Sequence, residues 1–315
     1  MSVVPRDDSI NPQDHALKIL HLIQAHILLA QYLFRTGSVL EGKYYVQGAL
    51  SLVLGAGFYP EAGHTGQKSV EISELHDIAG PQERIGAFWT SFTLRNLWAI
   101  ATASSSLLRG DSRCMKDSAG LFFNGHDSSL AKAVYLWDRT TRFDDQHYDD
   151  SSSSHFFDLD NMIHQRIQES SFSVSPENVH VQTLLHLAMI DLHKPFPHDP
   201  VSDNKIMTSL GLAIRLAIDQ DTVEWRVFNP ILPVLWRKIA EILVRQIKLH
   251  HQESLTRVIL NDARVNEYID SIIGILSLLR TMEELSIHSG LMGLEANRVR
   301  SLYELELKGL LDITP

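Results

Sequence analysis

Apolar residues recur at three- and four-residue intervals along most of the chain. Trp236, Ile239, Leu243 and Ile247 share one helical face, and so do Phe156, Leu159, Ile163 and Ile167. That period is the mark of an α-helix with one face buried. No segment shows the sustained apolar–polar alternation that a half-buried strand needs. The pattern therefore predicts an all-α fold. The expected architecture is a single large multi-helix domain over residues 11–312, built from antiparallel helical hairpins, with residues 1–10 disordered. A chain of 315 residues is long enough to bury a sizeable core without disulfide or metal staples.

Helix boundaries follow from glycine, proline and capping residues. A helix is expected over 14–35, apolar almost all round apart from a stripe at Lys18, His21 and Gln24, and so buried in a large core. Gly37 ends it, and a second helix runs over 41–56 to Gly57. That second helix carries Gly42, Gly48 and Gly55, which are acceptable where another helix approaches closely. After a loop at 58–67, Pro81 opens a long aromatic helix holding Phe88, Trp89, Phe92 and Trp98. A polar loop is expected at 110–127, a helix over 128–142, and an acidic, serine-rich linker at 144–154. Ser175 caps a helix starting at Pro176 and ending near Lys194, before Pro195, Pro197 and Pro200. Ser202 caps the next helix, to Ile218, and Asn229-Pro230 starts another. Val265, Ile269, Ile272, Leu276 and Leu279 form a last stripe, too short for a coiled coil and read as core.

Composition narrows the function. With 28 basic against 38 acidic residues the net charge is −10, which disfavours broad binding to nucleic acid or anionic lipid. The N-terminus has no basic region followed by an apolar stretch, so a secretory signal is not expected. The most apolar stretch, Ile19 to Phe34, is interrupted by His21, Gln24, His26 and Gln31, and is read as a core helix rather than a membrane span. A single cysteine, Cys114, makes no internal disulfide and fits a reducing compartment.

Candidate chemistry is sparse. The sixteen histidines include no HExxH and no pair four apart. His186 and His193 are seven apart, about 10 Å along an ideal helix, too far to share one zinc, and His250 and His251 point to different faces. Cys114 lies beside Arg113 and Lys116, which would lower a thiol pKa, yet a lone loop cysteine is an incidental residue on this reading. No phosphate-binding glycine loop and no nucleophile elbow is present. Asp144, Asp145 and Asp149 satisfy the loose D-D-x-x-x-D form of the aspartate-rich motif of terpene synthases, to which the segment 144–150 is loosely similar. The second metal motif of that family fails, because Asn261-Asp262 is followed by Val265 and Ile269 where serine and glutamate belong. No catalytic, cofactor-binding or metal-binding residue is assigned.

The order of phrases carries a family likeness. Residues His15 to Tyr59, with a glycine at the turn (Gly37) and the phrase Leu52-Val53-Leu54-Gly55-Ala56-Gly57-Phe58, are followed by Glu83-Arg84 and then Phe88-Trp89 and Phe92. Further on come Leu184 or Leu185, His186, Ala188, Leu192, His193, Pro195 and Phe196. This succession, over about Asn11 to Leu249, resembles the middle homology region, or regulatory domain, of fungal binuclear zinc-cluster transcription factors. Two phrases depart from the pattern: Arg95-Asn96 stands where an Asp-Arg pair is usual, and Leu108-Arg109-Gly110-Asp111 lacks the usual proline. Members of the family hold two zinc ions in an N-terminal cluster of six cysteines, which a chain with one cysteine does not form.

The resemblance implies a non-enzymatic regulatory or effector body of a transcription regulator, expected to be N-terminally truncated or to have lost its DNA-binding part. Implied partners are the transcriptional machinery or co-regulator proteins, with a small-molecule effector as a further option. DNA is reached indirectly or through an absent N-terminal domain, and no membrane is involved. No cofactor is expected in this chain. The implied location is the nucleus, or the cytoplasm if the chain is truncated. The alternatives are a terpene-synthase-like enzyme using the aspartates at 144–150, or a non-catalytic helical scaffold.

Overall fold

The structure is a computed structural model that describes residues 12–58, 81–102, 129–143, 150–171, 178–196, 199–218, 229–256 and 262–308. Among these residues there are ten α-helices and no strand, so the fold is all-α. In chain order they are α1 (Pro12–Thr36), α2 (Val39–Gly55), α3 (Pro81–Ala101), α4 (Ser129–Phe143), α5 (Asp150–Ser171), α6 (Val179–His193), α7 (Pro200–Ile218), α8 (Leu232–Thr256), α9 (Asp262–Leu285) and α10 (Gly290–Tyr303). A short 3-10 turn, Ser286–His288, precedes α10, and a π turn, Glu304–Lys308, follows it. The described helices fall into two compact units. The first takes in α1 to Leu33, α2, and α3 to Leu97. The second takes in Phe34–Ser38, the end of α3 from Trp98, and everything from α4 onward.

In the first unit α1 buries Ala16, Leu20, Ile23, Ile27 and Ala30, spaced four and three apart. The helix is not buried all round, as its composition suggested: Leu28 is 67% and Tyr32 63% exposed. By length and composition alone, His15–Thr36 would be long and apolar enough to cross a membrane. Within α2, a Cβ on Gly48 would lie 2.7 Å from His26 Nδ1, so the missing side chain is what admits the imidazole. His26 in turn meets Tyr45 edge-on, with ring centroids 5.4 Å apart. Helix α2 ends as its glycines predict. Gly57 has φ +69°, Gly57 N–H donates to Leu54 O at 3.1 Å, and Phe58 N–H donates to Val53 O at 3.0 Å. This is a Schellman cap, which satisfies carbonyls that the helix leaves open. On α3, Phe88, Trp89 and Phe92 are buried and contact one another as rings.

The second unit is organised around α6. Thirteen of the fifteen residues of α6 are buried, including Leu184, Leu185, Ala188 and Leu192. Such a helix has no solvent face and must be covered on several sides. Helices α4, α5 and α7 pack against it, while α8, α9 and α10 pack on one another and α9 also on α7. Trp137 of α4 is fully buried and donates its indole N–H to Asp191 Oδ2 at 2.9 Å. The end of α1 is secured in this unit by the start of α10. Ser289 N-caps α10 by accepting from Met292 N–H, and its hydroxyl donates to Arg35 O at 3.0 Å. Arg35 Nε donates to His288 O at 3.1 Å.

Several expected boundaries are corrected. Asp150 to Ser154, assigned to a linker, form the first turns of α5. Of these, Ser154 is exposed, and further along the helix Leu159 and Ile163 are buried. Residues 144–149, 110–127, 1–10, 58–67 beyond Phe58, and Ser175-Pro176 lie outside the described residues. Helix α6 starts at Val179 with Asn178 as its cap residue, and not at Pro176. Ser202 is not the cap of α7 but its third residue, and Asp199 caps the helix instead. On α9 the buried side chains include Ser271, Ile275, Leu278, Leu279, Met282 and Leu285, so of the expected stripe Leu279 is buried, whereas Ile269 and Leu276 are 46% and 42% exposed. Ile275, Leu278, Met282 and Leu285 are apolar at the same helical spacing, so periodicity alone did not choose between the two rows.

Candidate functional site

Among the described residues, a polar constellation around the buried His193 lies where α5, α6 and α7 meet. Helix α6 stops at His193 because Pro195 follows. Phe196 N–H then donates to His193 O at 3.0 Å and Asp199 N–H to Phe196 O at 3.2 Å, which turns the chain into α7. Pro200 occupies the first helical position, where its missing N–H costs nothing. Asp199 Oδ2 accepts the backbone N–H of Ser202 at 3.0 Å, the usual N-cap bond.

This turn brings the His193 ring, 2% exposed, between two hydrogen-bond partners. Nε2 lies 3.0 Å from Asp160 Oδ1 of α5, and Nδ1 lies 2.9 Å from Ser202 Oγ of α7. Ser202 Oγ also lies 2.8 Å from Asp199 Oδ2. Lys205, one turn further along α7, reaches both oxygens of Asp160 at 2.7 and 2.5 Å. Phe156 and Phe196 close the apolar side. Phe156 meets the His193 ring edge-on at 5.1 Å, and the Phe156 and Phe196 rings meet edge-on at 5.2 Å.

Proton counting fixes how this cluster works. Ser202 owns one hydroxyl proton and two acceptors want it. If His193 is neutral, with its proton on Nε2, then Nε2–H donates to Asp160 and Nδ1 accepts from Ser202. If His193 is protonated, Nδ1–H donates to Ser202 Oγ and the hydroxyl proton passes to Asp199. Burial lowers the His193 pKa, the hydrogen bond to Asp160 raises it, and Lys205 lowers it again, with a net shift downward. For Asp160, burial pushes the carboxyl up, and the hydrogen bonds from Lys205 and His193 outweigh it, so the net shift is down. The resting cluster is therefore a neutral histidine beside a carboxylate neutralised by Lys205. The members resemble a serine–histidine–aspartate triad in composition only. Ser202 is 2% exposed and sits on Nδ1, the nitrogen that binds the carboxylate in a hydrolytic triad. Its chemistry is that of a three-helix clasp.

His186, compared with His193 as a possible metal pair, lies inside α6, 4% exposed, with no hydrogen-bond partner on Nδ1, and burial alone lowers its pKa to about 4. The structure assigns the two histidines separate surroundings. His250 and His251 both lie on α8. Cys114, Asp144, Asp145 and Asp149 lie outside the described residues, and Asp150 begins α5. Among the described residues no group of three or more His, Cys, Asp or Glu side chains is placed to hold a metal ion. The aromatic residues Trp89 and Trp98 are buried, and Trp98 stacks on Phe34 at 3.7 Å in the second unit. Sequence reasoning missed Asp160, Ser202 and Lys205 as partners of His193. Asp160 and His193 lie on different helices, 33 residues apart, and no local motif signals that pairing. No protein-family model matches the chain, and neither a curated protein nor a solved structure matches it significantly.

Proposed function

We propose that the chain is the regulatory body of a transcription regulator, acting through protein or small-ligand contacts and not by catalysis. The observation that supports this reading best is the position of the phrases that carry the family resemblance. Gly37 has φ +95° at the end of α1, and Gly57 has φ +69° at the end of α2. Both are left-handed positions that favour glycine. The phrase from Leu184 to Phe196 forms the most buried helix and delivers His193 to the α5–α7 clasp. Residues that define the resemblance are thus the ones the fold uses at turns and in the core. In this reading the partners are co-regulators or the transcriptional machinery, the location is the nucleus, and DNA is reached indirectly.

The reading predicts that the chain, fused to a DNA-binding domain of known specificity, changes transcription of a matching reporter. The enzyme alternative predicts magnesium-dependent release of pyrophosphate from a prenyl diphosphate that is lost in Asp145→Asn. That activity would replace the regulatory reading. Nuclear exclusion of the tagged chain would favour a scaffold without a transcriptional role.

A further inference from the structure

We draw no further inference here: the strongest candidate, the groove between α7, α8 and α9 over Leu210, Ile214 and Leu243, has its polar side chains Asn204, Arg215 and Asp270 exposed at the rim, and nothing in the structure shows what covers its apolar floor.

Discussion

The Nδ1 atom of His193 and the hydroxyl of Ser202 lie 2.9 Å apart, each residue 2% exposed, and they join the end of α6 to the first turn of α7. A buried imidazole held this way is worth more than its contact area, because removing its partner leaves a polar nitrogen with no water to replace it. Ser202→Ala should therefore cost about 1–3 kcal/mol. Urea denaturation followed by circular dichroism measures this. A loss indistinguishable from zero would mean that the pair is not formed in solution.

Acid should weaken the fold through histidines that are buried neutral. Burial lowers His180 and His186 from 6.5 to about 4. Between those values the unfolded chain takes up a proton that the folded chain refuses. Their contribution is thus fully present above pH 6.5 and is lost as pH falls toward 4, by roughly 3 kcal/mol for each group. His193, lowered in the same direction, adds to the loss. Replacing His186 by Leu removes one titrating group and a buried Nδ1 without a partner. Denaturation midpoints across this range should fall less steeply in His186→Leu than in the parent. Parallel curves would refute the assignment.

Two glycines should resist substitution and a third should welcome it. A Cβ on Gly290 would sit 2.7 Å from Thr36 O, a backbone atom that cannot swing aside. A Cβ on Gly37 would meet Leu294 Cδ1 at 2.7 Å, on a backbone with φ +95°. Gly290→Ala and Gly37→Ala should each destabilise by about 1–3 kcal/mol. Gly211 lies inside α7 with open space where its Cβ would be, so Gly211→Ala should stabilise by about 0.5–1 kcal/mol. Thermal melts of the three variants give the signs directly.

Glu295 offers a test of a buried ion cluster. It is 2% exposed, and its oxygens lie 2.7 Å from Arg237 Nε and from Arg298 NH1. Burial raises its pKa, and the two guanidinium groups oppose that. Glu295→Ala leaves Arg237, which also pairs with Glu241, without its α10 partner. A loss of about 1–3 kcal/mol is expected, since Arg237 loses a buried charge-assisted bond but keeps Glu241, and Arg298 is exposed. Denaturation of Glu295→Ala beside Glu295→Gln separates charge from shape, and equal, small losses would contradict the account.

How far the sequence could be read depended on whether a contact was local. Gly37, Gly57 and Pro81 mark helix ends through their own backbone constraints, and these were legible. Trp236, Ile239, Leu243 and Ile247 were assigned to one face, and all four are buried. The stripe of α9 holds at Leu279 and fails at Ile269 and Leu276, because these make as good a helical row as Ile275 and Leu278, and packing against α7, α8 and α10 breaks the tie. Ser202 passed for a cap because serine caps helices. Asp199, three residues earlier, took that role and freed Ser202 for His193. The union of Asp160 with His193 and Lys205 depends on tertiary structure, so no spacing rule could reveal it.

The central claim is that the folded helical body acts on transcription. The most direct measurement is reporter output from the chain tethered through a heterologous DNA-binding domain, beside the same fusion carrying Leu184→Asp, which places a charge in the fully buried face of α6. At matched protein levels, the account predicts that the parent fusion raises or lowers transcription relative to the DNA-binding domain alone and that Leu184→Asp abolishes the effect. A parent fusion without effect, or one whose effect survives Leu184→Asp unchanged, would contradict it.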